Sequence, residues 1–413
     1  MKLFSFFKKS GVSEMQNIVR LNDGSIEYVS QAPKISTPHM SYRMFEGVSV
    51  VYDAVDKIAS RVSSLSLVTK NQEKEVVQSP EIEVFQKNKT KLWLEMSTSL
   101  ELTGECFVVL RGRVDRPPLE MQCIEPFAVS SGEAKIGQEM PDSIRTDSLK
   151  DRRTYYNQDG RYISQDGLNE LLPIVKRSRM NTWRGLSKLS PLVQEVLHID
   201  SGNSHNSALL RNGLKNSIIL SPTEGDIDIE EGNALKDTLE RYHKGSNNAG
   251  KPLILPRSFA LVSTAGNTRD MDYMALIDTD ENRIYRIFNV PLPLVKSGTM
   301  TQSNYEVAIP FLYTDAVIPA FSFIAEALTE AVIKNRYKSK NILTYDEFNI
   351  PALNLYQVSL MRSLKETGSV SVNEVRSRGG YAPVDGGDEV MVNSGSVKLS
   401  DMDSESWGYN EAE

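Results

Sequence analysis

The sequence predicts an α+β protein: a mixed helix-and-strand module, a small α/β insert held between two helices, a long kinked helix and two closing helices. Three observations carry this. An apolar stripe at helical spacing from Val48 to Leu67 is followed by strand-like runs with hairpin turns. A strand, helix, strand, strand unit then interrupts two helical segments, and Pro310 and Pro319 stand inside an otherwise helical apolar stretch.

Residues 1–44 are polar and broken by Pro, Ser and Thr, which predicts an extended arm with at most short strands and ordered structure from near Phe45. The opening MKLFSFFKKS has too short an apolar run for a signal segment and reads as a frayed terminus or as a basic arm touching a partner. Val48, Val51, Val55, Ile58, Ala59, Val62 and Leu65 fall three and four apart and lay one stripe along a helix. A second helix is expected over Leu92–Leu102. ECFVVLRGR and LEMQCIEPFAVS then read as strands separated by RVDRPP, and TYYNQDGRYIS reads as a hairpin around Asp159-Gly160. These segments form one α+β module over 45–180.

In RGLSKLSPL, Ser190 is the expected N-cap and Pro191 the first helical residue of a helix running to about Asn212. SIILS, a helix from about Glu230 to His243, KPLILP and FALVSTA make a small insert of about fifty residues, and a helix over 270–289 follows it, ending before Pro291. Pro291 and Pro293 hold the departing chain extended, Gly298 permits a turn, and Ser303 with Glu306 makes a capping box for a helix reaching Lys334. Along that helix Ile318, Phe321, Ala325, Leu328 and Val332 alternate in threes and fours, and Pro310 and Pro319 must kink or divide it. NILTYDEFNI is strand-like, ALNLYQVSLMRSLKETG is helical with Gly368 as its stop, and SVNEVRSRGG starts one more short helix. The end, 388–413, is acidic except for Lys398 and reads as a solvated, disordered tail.

A net charge of −7 argues against a protein whose affinity comes from wrapping phosphates, because that needs clustered Lys and Arg. Two cysteines, Cys106 and Cys123, fall on neighbouring predicted strands and read as buried thiols of a reducing compartment. The stretch 307–333 is interrupted by Asp315, Glu326, Glu330 and two prolines, so no membrane span is expected.

Searches for chemistry fail one by one. Gly250-Lys251 lacks the earlier Gly and the following Ser or Thr of a phosphate loop. Asp278, Asp280 and Asn282 imitate the start of a calcium loop, but Arg283 and Asn289 stand where Gly and Glu are needed. His39, His198, His205 and His243 form no HExxH, there is no CxxC, and no GxSxG elbow exists. No catalytic residue, metal or cofactor is therefore expected. The cluster Lys176, Arg177, Arg179, Arg184 and Lys188 around Trp183 reads either as a phosphate or subunit contact or as a solvated strand end. Glu224, Asp226, Asp228, Glu230 and Glu231 form an acidic stretch at a helix start, a place the helix dipole already favours and a possible partner contact.

The order of VYDAVDKIASRVSSLSLVTK, LTGECFVVLRGR, LEMQCIEPFAVS, RGLSKLSPL, YHKGSNNAGKPLILP, RIFNVPLPLVKSGTMTQSNYEVA and SVNEVRSRGGYAPVDGGDEV resembles the tailed-bacteriophage portal protein family, the head-to-tail connector, in its short long-tailed-phage form. The resemblance implies a portal-type elongated subunit with a wing (45–189), a stem of two helices (190–213 and 269–290) and a clip between them (214–268). It further implies a tunnel loop (291–302), a kinked tunnel helix returning to the wing (303–351) and a helical crown (352–387). The arm at 1–44 and the acidic tail at 388–413 flank these.

The resemblance also implies a homo-oligomeric ring of twelve subunits at the capsid vertex of a virion, assembled in the host cytoplasm. Double-stranded DNA would cross it in packaging and ejection without sequence reading. Partners would be the terminase large subunit, head-completion or connector proteins, and the major capsid or scaffold protein. In the tunnel loop, Val295, Lys296, Ser297, Gly298, Thr299, Met300, Thr301 and Gln302 would line the channel, with Lys296 the cation that meets phosphates. Two other readings stand beside this one: another virion structural or connector subunit, and a DNA-processing hydrolase built on the 214–268 insert.

Overall fold

The computed structural model describes residues 18–20, 26–28, 38–131, 140–176, 183–211, 218–222, 228, 230, 232–234, 259–263, 267–296, 298, 301–366, 370–378, 381–392 and 397–398. The chain divides into two units, Met1–Ala54 with Ser187–Ile287, and Val55–Leu186 with Phe288–Glu413.

The first unit is built on two helices, Val193–Arg211 and Asn267–Ile287. They are held by polar contacts as well as apolar ones. His198 Nδ1 lies 2.9 Å from Oδ2 of the fully buried Asp280, whose other oxygen accepts from Arg283 at 3.2 Å. Arg283 also reaches Glu195 at 3.5 Å. The predicted helix start is displaced. Ser190–Leu192 form a 3-10 turn with Leu189 as its flanking residue and Pro191 inside it, so Ser190 is not the N-cap. Ser187 makes the turn instead, its carbonyl accepting from the Ser190 N–H and its hydroxyl from the Leu189 N–H. Between the two helices Ile218–Pro222 pairs antiparallel with Phe259–Ser263, the first and last strands of the expected insert; KPLILP lies outside the described residues.

Order begins earlier than expected. Pro38–Gly47 is a helix with Ser41 and Met44 buried, and the Ser41 hydroxyl contacts that of Ser187 at 3.2 Å. Ile18–Arg20 and Ile26–Tyr28 form a short antiparallel pair, the kind of strand the arm was expected to allow. The first striped helix runs Ser49–Ser64, and within this unit Asp53 accepts from the Tyr285 hydroxyl at 3.0 Å.

The second unit holds a seven-stranded antiparallel sheet. Its order is Glu120–Ile124, Glu105–Arg111, Asn169–Val175, Arg161–Ser164, Thr154–Gln158, Ser143–Thr146 and Val129–Ser131. The two edge strands are neighbours in sequence, joined by the 3-10 turn Pro126–Ala128. The sheet is therefore curled on itself: Ile124 from one edge and Val129 from the other share a core with Phe107, Ile144, Tyr155, Tyr162, Leu171 and Trp183. The predicted hairpin holds, Asp159 and Gly160 both adopting positive φ (52° and 83°) between Arg161 and Gln158.

The outer face of the sheet carries the helix Lys89–Thr103, which ends on Gly104 in the left-handed region. Cys123, opposite Val108, touches Ser99 of that helix, and both cysteines are buried free thiols. The Cys106 thiol is pushed well up, first by its contact with Cys123 and then by burial.

Among the described residues one helical run, Gln302–Lys334, is long and apolar enough to cross a membrane, with a mean hydropathy of 1.7 in its most apolar window. Of that window 61% is buried within the protein. Phe321 stacks on Trp93 at 4.7 Å and meets Tyr345 edge-on at 5.5 Å, which makes this a core helix. Ile342–Tyr345 pairs with Leu67–Lys70, and Pro351–Glu366 and Val372–Arg378 are the two closing helices. In the stretch read as a disordered tail, Met391–Val392 pairs with Val397–Lys398, a β-pair that the acidic composition conceals.

Candidate functional site

The helix ending at Ile287 stops where Phe288 turns into the core and Asn289 takes φ 57°, a conformation that Asn tolerates better than most residues. Pro291 is extended, and Leu292–Leu294 form one 3-10 turn whose Leu292 carbonyl accepts from the N–H groups of Val295 and Lys296 at 3.0 and 2.9 Å. Buried Phe288, Val290 and Leu294 thus anchor the root of the loop, and Val295 and Lys296 emerge half-buried. Gly298 is exposed, with open space where a Cβ would stand and no left-handed backbone, so the turn does not require glycine there. Ser297, Thr299 and Met300 lie outside the described residues.

The returning helix begins at Gln302, one residue before Ser303. Its cap is Thr301, extended at φ −100°, whose hydroxyl oxygen accepts from the Asn304 N–H at 3.2 Å. The capping box expected of Ser303 and Glu306 is absent because Asn304, and not Glu306, occupies the third helical position. Glu306 accepts instead from the Gln302 amide one turn back at 3.0 Å. Every residue from Thr301 to Val307 is exposed, and Tyr305, Val307 and Phe311 are large side chains that stand exposed.

The bends are made by widened turns. Pro310 sits inside Gln302–Leu312, and the next five residues, Tyr313–Val317, are π-helical, with the Ile318 N–H bonded to the Tyr313 carbonyl. Pro319 falls in the first turn of Ile318–Leu328, and a second π segment covers Thr329–Lys334. Pro319 has no N–H for the Asp315 carbonyl four residues earlier. That carbonyl accepts from the Asn289 side-chain amide at 3.1 Å.

The other candidates resolve differently. Asp228 and Glu230 are exposed, while Glu224, Asp226 and Glu231 lie outside the described residues, as do Arg177, Arg179 and the Gly250-Lys251 pair. Arg184 is neither a phosphate contact nor a solvated strand end. It forks onto Glu105 at 2.9 and 2.5 Å, donates to the Val129 and Pro126 carbonyls, and lies over the rings of Phe107 and Trp183. Glu105 is buried and also accepts from the Gly185 N–H at 2.6 Å. Asp278, Asp280 and Asn282 lie within a helix, where Asn282 donates to Asp278, so no calcium loop forms. Among the described residues no three His, Cys, Asp or Glu side chains gather to hold a metal.

Sequence reasoning missed a buried cation at the end of the long helical run. Arg336 has no exposed side-chain surface and donates to Glu170 at 3.1 and 2.9 Å, while Arg161 grips the same carboxylate at 2.7 and 2.6 Å. Burial pulls the Arg336 guanidinium below its ordinary value although the carboxylate opposes this. A lone Arg after an apolar helix carries no sequence signal of burial.

An uncharacterized protein of Rickettsia bellii is 25% identical over 399 residues, covering 94% of this chain and 99% of its own. Among solved structures, a chain from the neck of an empty gene transfer agent particle, computed with C6 symmetry, is similar with TM-score 0.60 at 18% identity, over 84% of this chain and 94% of that one. An HK97-family phage portal protein from Corynebacterium diphtheriae is similar with TM-score 0.51 at 13% identity, over 76% of this chain and 96% of that one. The mixed α/β fold with its curled sheet is thus the fold of portal proteins. The family model described as phage portal protein matches residues 49–380, most of the 413 residues, and the chain belongs to the phage portal protein family.

Proposed function

We propose that this chain is the subunit of a closed ring at the capsid vertex, through which double-stranded DNA passes in packaging and ejection, with the loop at 291–302 facing the channel. The observation that carries the reading is the exposed start of the returning helix, seven consecutive exposed residues, 301–307, that include Tyr305 and Val307, with Phe311 exposed one turn on. A ring covers such a face by heterologous contact, one surface of each subunit against a different surface of the next. The similar gene transfer agent necks were computed with C6 and C12 symmetry, and a twelve-subunit ring fits both. A net charge of −7 per subunit suits a conduit that must not hold DNA by multiplied phosphate contacts. The segment 214–268, with its acidic stretch, is the docking site for terminase and then for connector proteins, and the ring also meets capsid or scaffold protein.

Electron microscopy and native mass spectrometry of the purified protein test this. Closed rings with a central hole wide enough for a B-form duplex are expected. A protein that stays monomeric when concentrated would sink the reading, and rings without such a hole would favour another virion part.

Lys296→Glu is expected to leave the rings intact while lowering packaged or retained DNA by roughly tenfold, since each subunit then repels the phosphates it had attracted. Particle DNA content measured against capsid protein reads this out. Loss of rings in that variant would make Lys296 a structural residue.

A further inference from the structure

Two features described separately meet at one atom. The chain enters the 291–302 loop through Asn289, and it leaves along a helix that widens into a π turn before Pro319. The Asp315 carbonyl, which the Pro319 ring deprives of the N–H four residues on, accepts from Asn289 Nδ2 at 3.1 Å. We infer that Asn289 is a positioning residue for the loop: its side chain ties the loop's root to the π turn, so that the Leu292–Lys296 turn and the bend before Pro319 move as one piece.

The requirements on this residue are specific. It must take a left-handed backbone and donate a hydrogen bond sideways. Gly satisfies the first alone, Gln satisfies the second at the wrong length, and Asp keeps the backbone but offers only acceptors to a carbonyl. The neighbours Phe288 and Val290 are buried, so the exposed Asn289 is held between two fixed points and loses little freedom in making the bond. The Lys296 N–H, bonded to the Leu292 carbonyl, lies seven residues along, within the turn so anchored. The link with channel function rests on the reading under Proposed function. The tie itself does not, and the experiment below is performed without DNA.

The test is a double-substitution cycle read by amide hydrogen exchange on the assembled full-length protein. Asn289→Asp and Asn289→Gly are each expected to speed exchange in two places, at residues 316–321 and at Val295 and Lys296, by roughly fivefold, the ratio that one net hydrogen bond supports. Pro319→Ala returns an N–H to the helix and gives the Asp315 carbonyl its own partner. In that background the same Asn289 changes are expected to leave exchange at 316–321 nearly unaltered. The inference is overturned if the effects of Asn289 and Pro319 simply add, or if exchange changes in only one of the two places. Asn289→Gly, which keeps the backbone conformation, maintains the test should Asn289→Asp fail to fold.

Discussion

Glu105→Ala is expected to lower stability by about 3–5 kcal/mol, the cost of stranding a buried partner. Melting of the curled-sheet unit, followed by the fluorescence of Trp93 and Trp183, should fall by roughly 10 °C. The Glu105 carboxylate is 1% exposed and accepts from both sides of the Arg184 fork and from the Gly185 N–H. Removing it leaves a half-buried guanidinium, set over the rings of Phe107 and Trp183, without its counter-charge and a buried N–H without its acceptor. The same place admits no backbone adjustment. Gly104 is left-handed at φ 73°, a Cβ there would overlap the Leu186 carbonyl oxygen, and one at Gly185 would come within 2.7 Å of the Gly104 carbonyl carbon. Glu105→Gln, which keeps the shape and one acceptor, should lose less. Melting of Glu105→Ala at the parent temperature would show that the pair is ornamental.

The second large effect concerns Glu170. Glu170→Ala leaves Arg336 fully buried and unpaired, and a loss of about 3–5 kcal/mol is expected, read as a lower urea midpoint of the full chain. The double variant Glu170→Leu with Arg336→Met should recover most of that loss, because an apolar pair of similar volume needs no compensation for lost hydration. Arg161, whose side chain is 30% exposed, can turn to water when its partner is gone. If the double variant is as unstable as the single one, the arginines hold more than the carboxylate they share.

Much of the fold was legible because its signals are local. The stripe over 48–67, the Asp159-Gly160 hairpin, the helix around 92–102 and the Pro-ended helix before residue 291 each rest on spacing or turn chemistry that a dozen residues display. What was missed was missed for reasons of context. Pro38–Gly47 is short, buries only Ser41 and Met44, and follows a polar stretch broken by proline, although Thr37-Pro38 is itself a helix-start signal. Leu67–Lys70 is a four-residue strand whose partner, Ile342–Tyr345, lies far along the chain, and Ser143–Thr146 is too short to show a period of its own. At the loop, prolines foretold a bend but not its form, since a π turn depends on which carbonyls find other donors. The Thr301 cap against the expected Ser303 is a shift of two residues between equally good hydroxyls, decided by where the loop comes down. Arg184 looked like surface charge because sequence does not show that Glu105 waits beneath it.

The long helix also keeps a count of four. Ala308, Leu312, Ala316, Ala320, Ile324, Leu328, Val332 and Arg336 are all buried. In an uninterrupted α-helix each step of four overshoots a full rotation by about 40°, so seven steps would carry the last of these residues roughly 280° around the axis from the first. Each widened turn spends one extra residue on its rotation and sets the phase back by about 100°. The two π segments, at 313–317 and 329–334, are therefore phase corrections. They hold a four-residue ruler against one side of the protein for its whole length, and they deliver Arg336, the last mark on it, to Glu170.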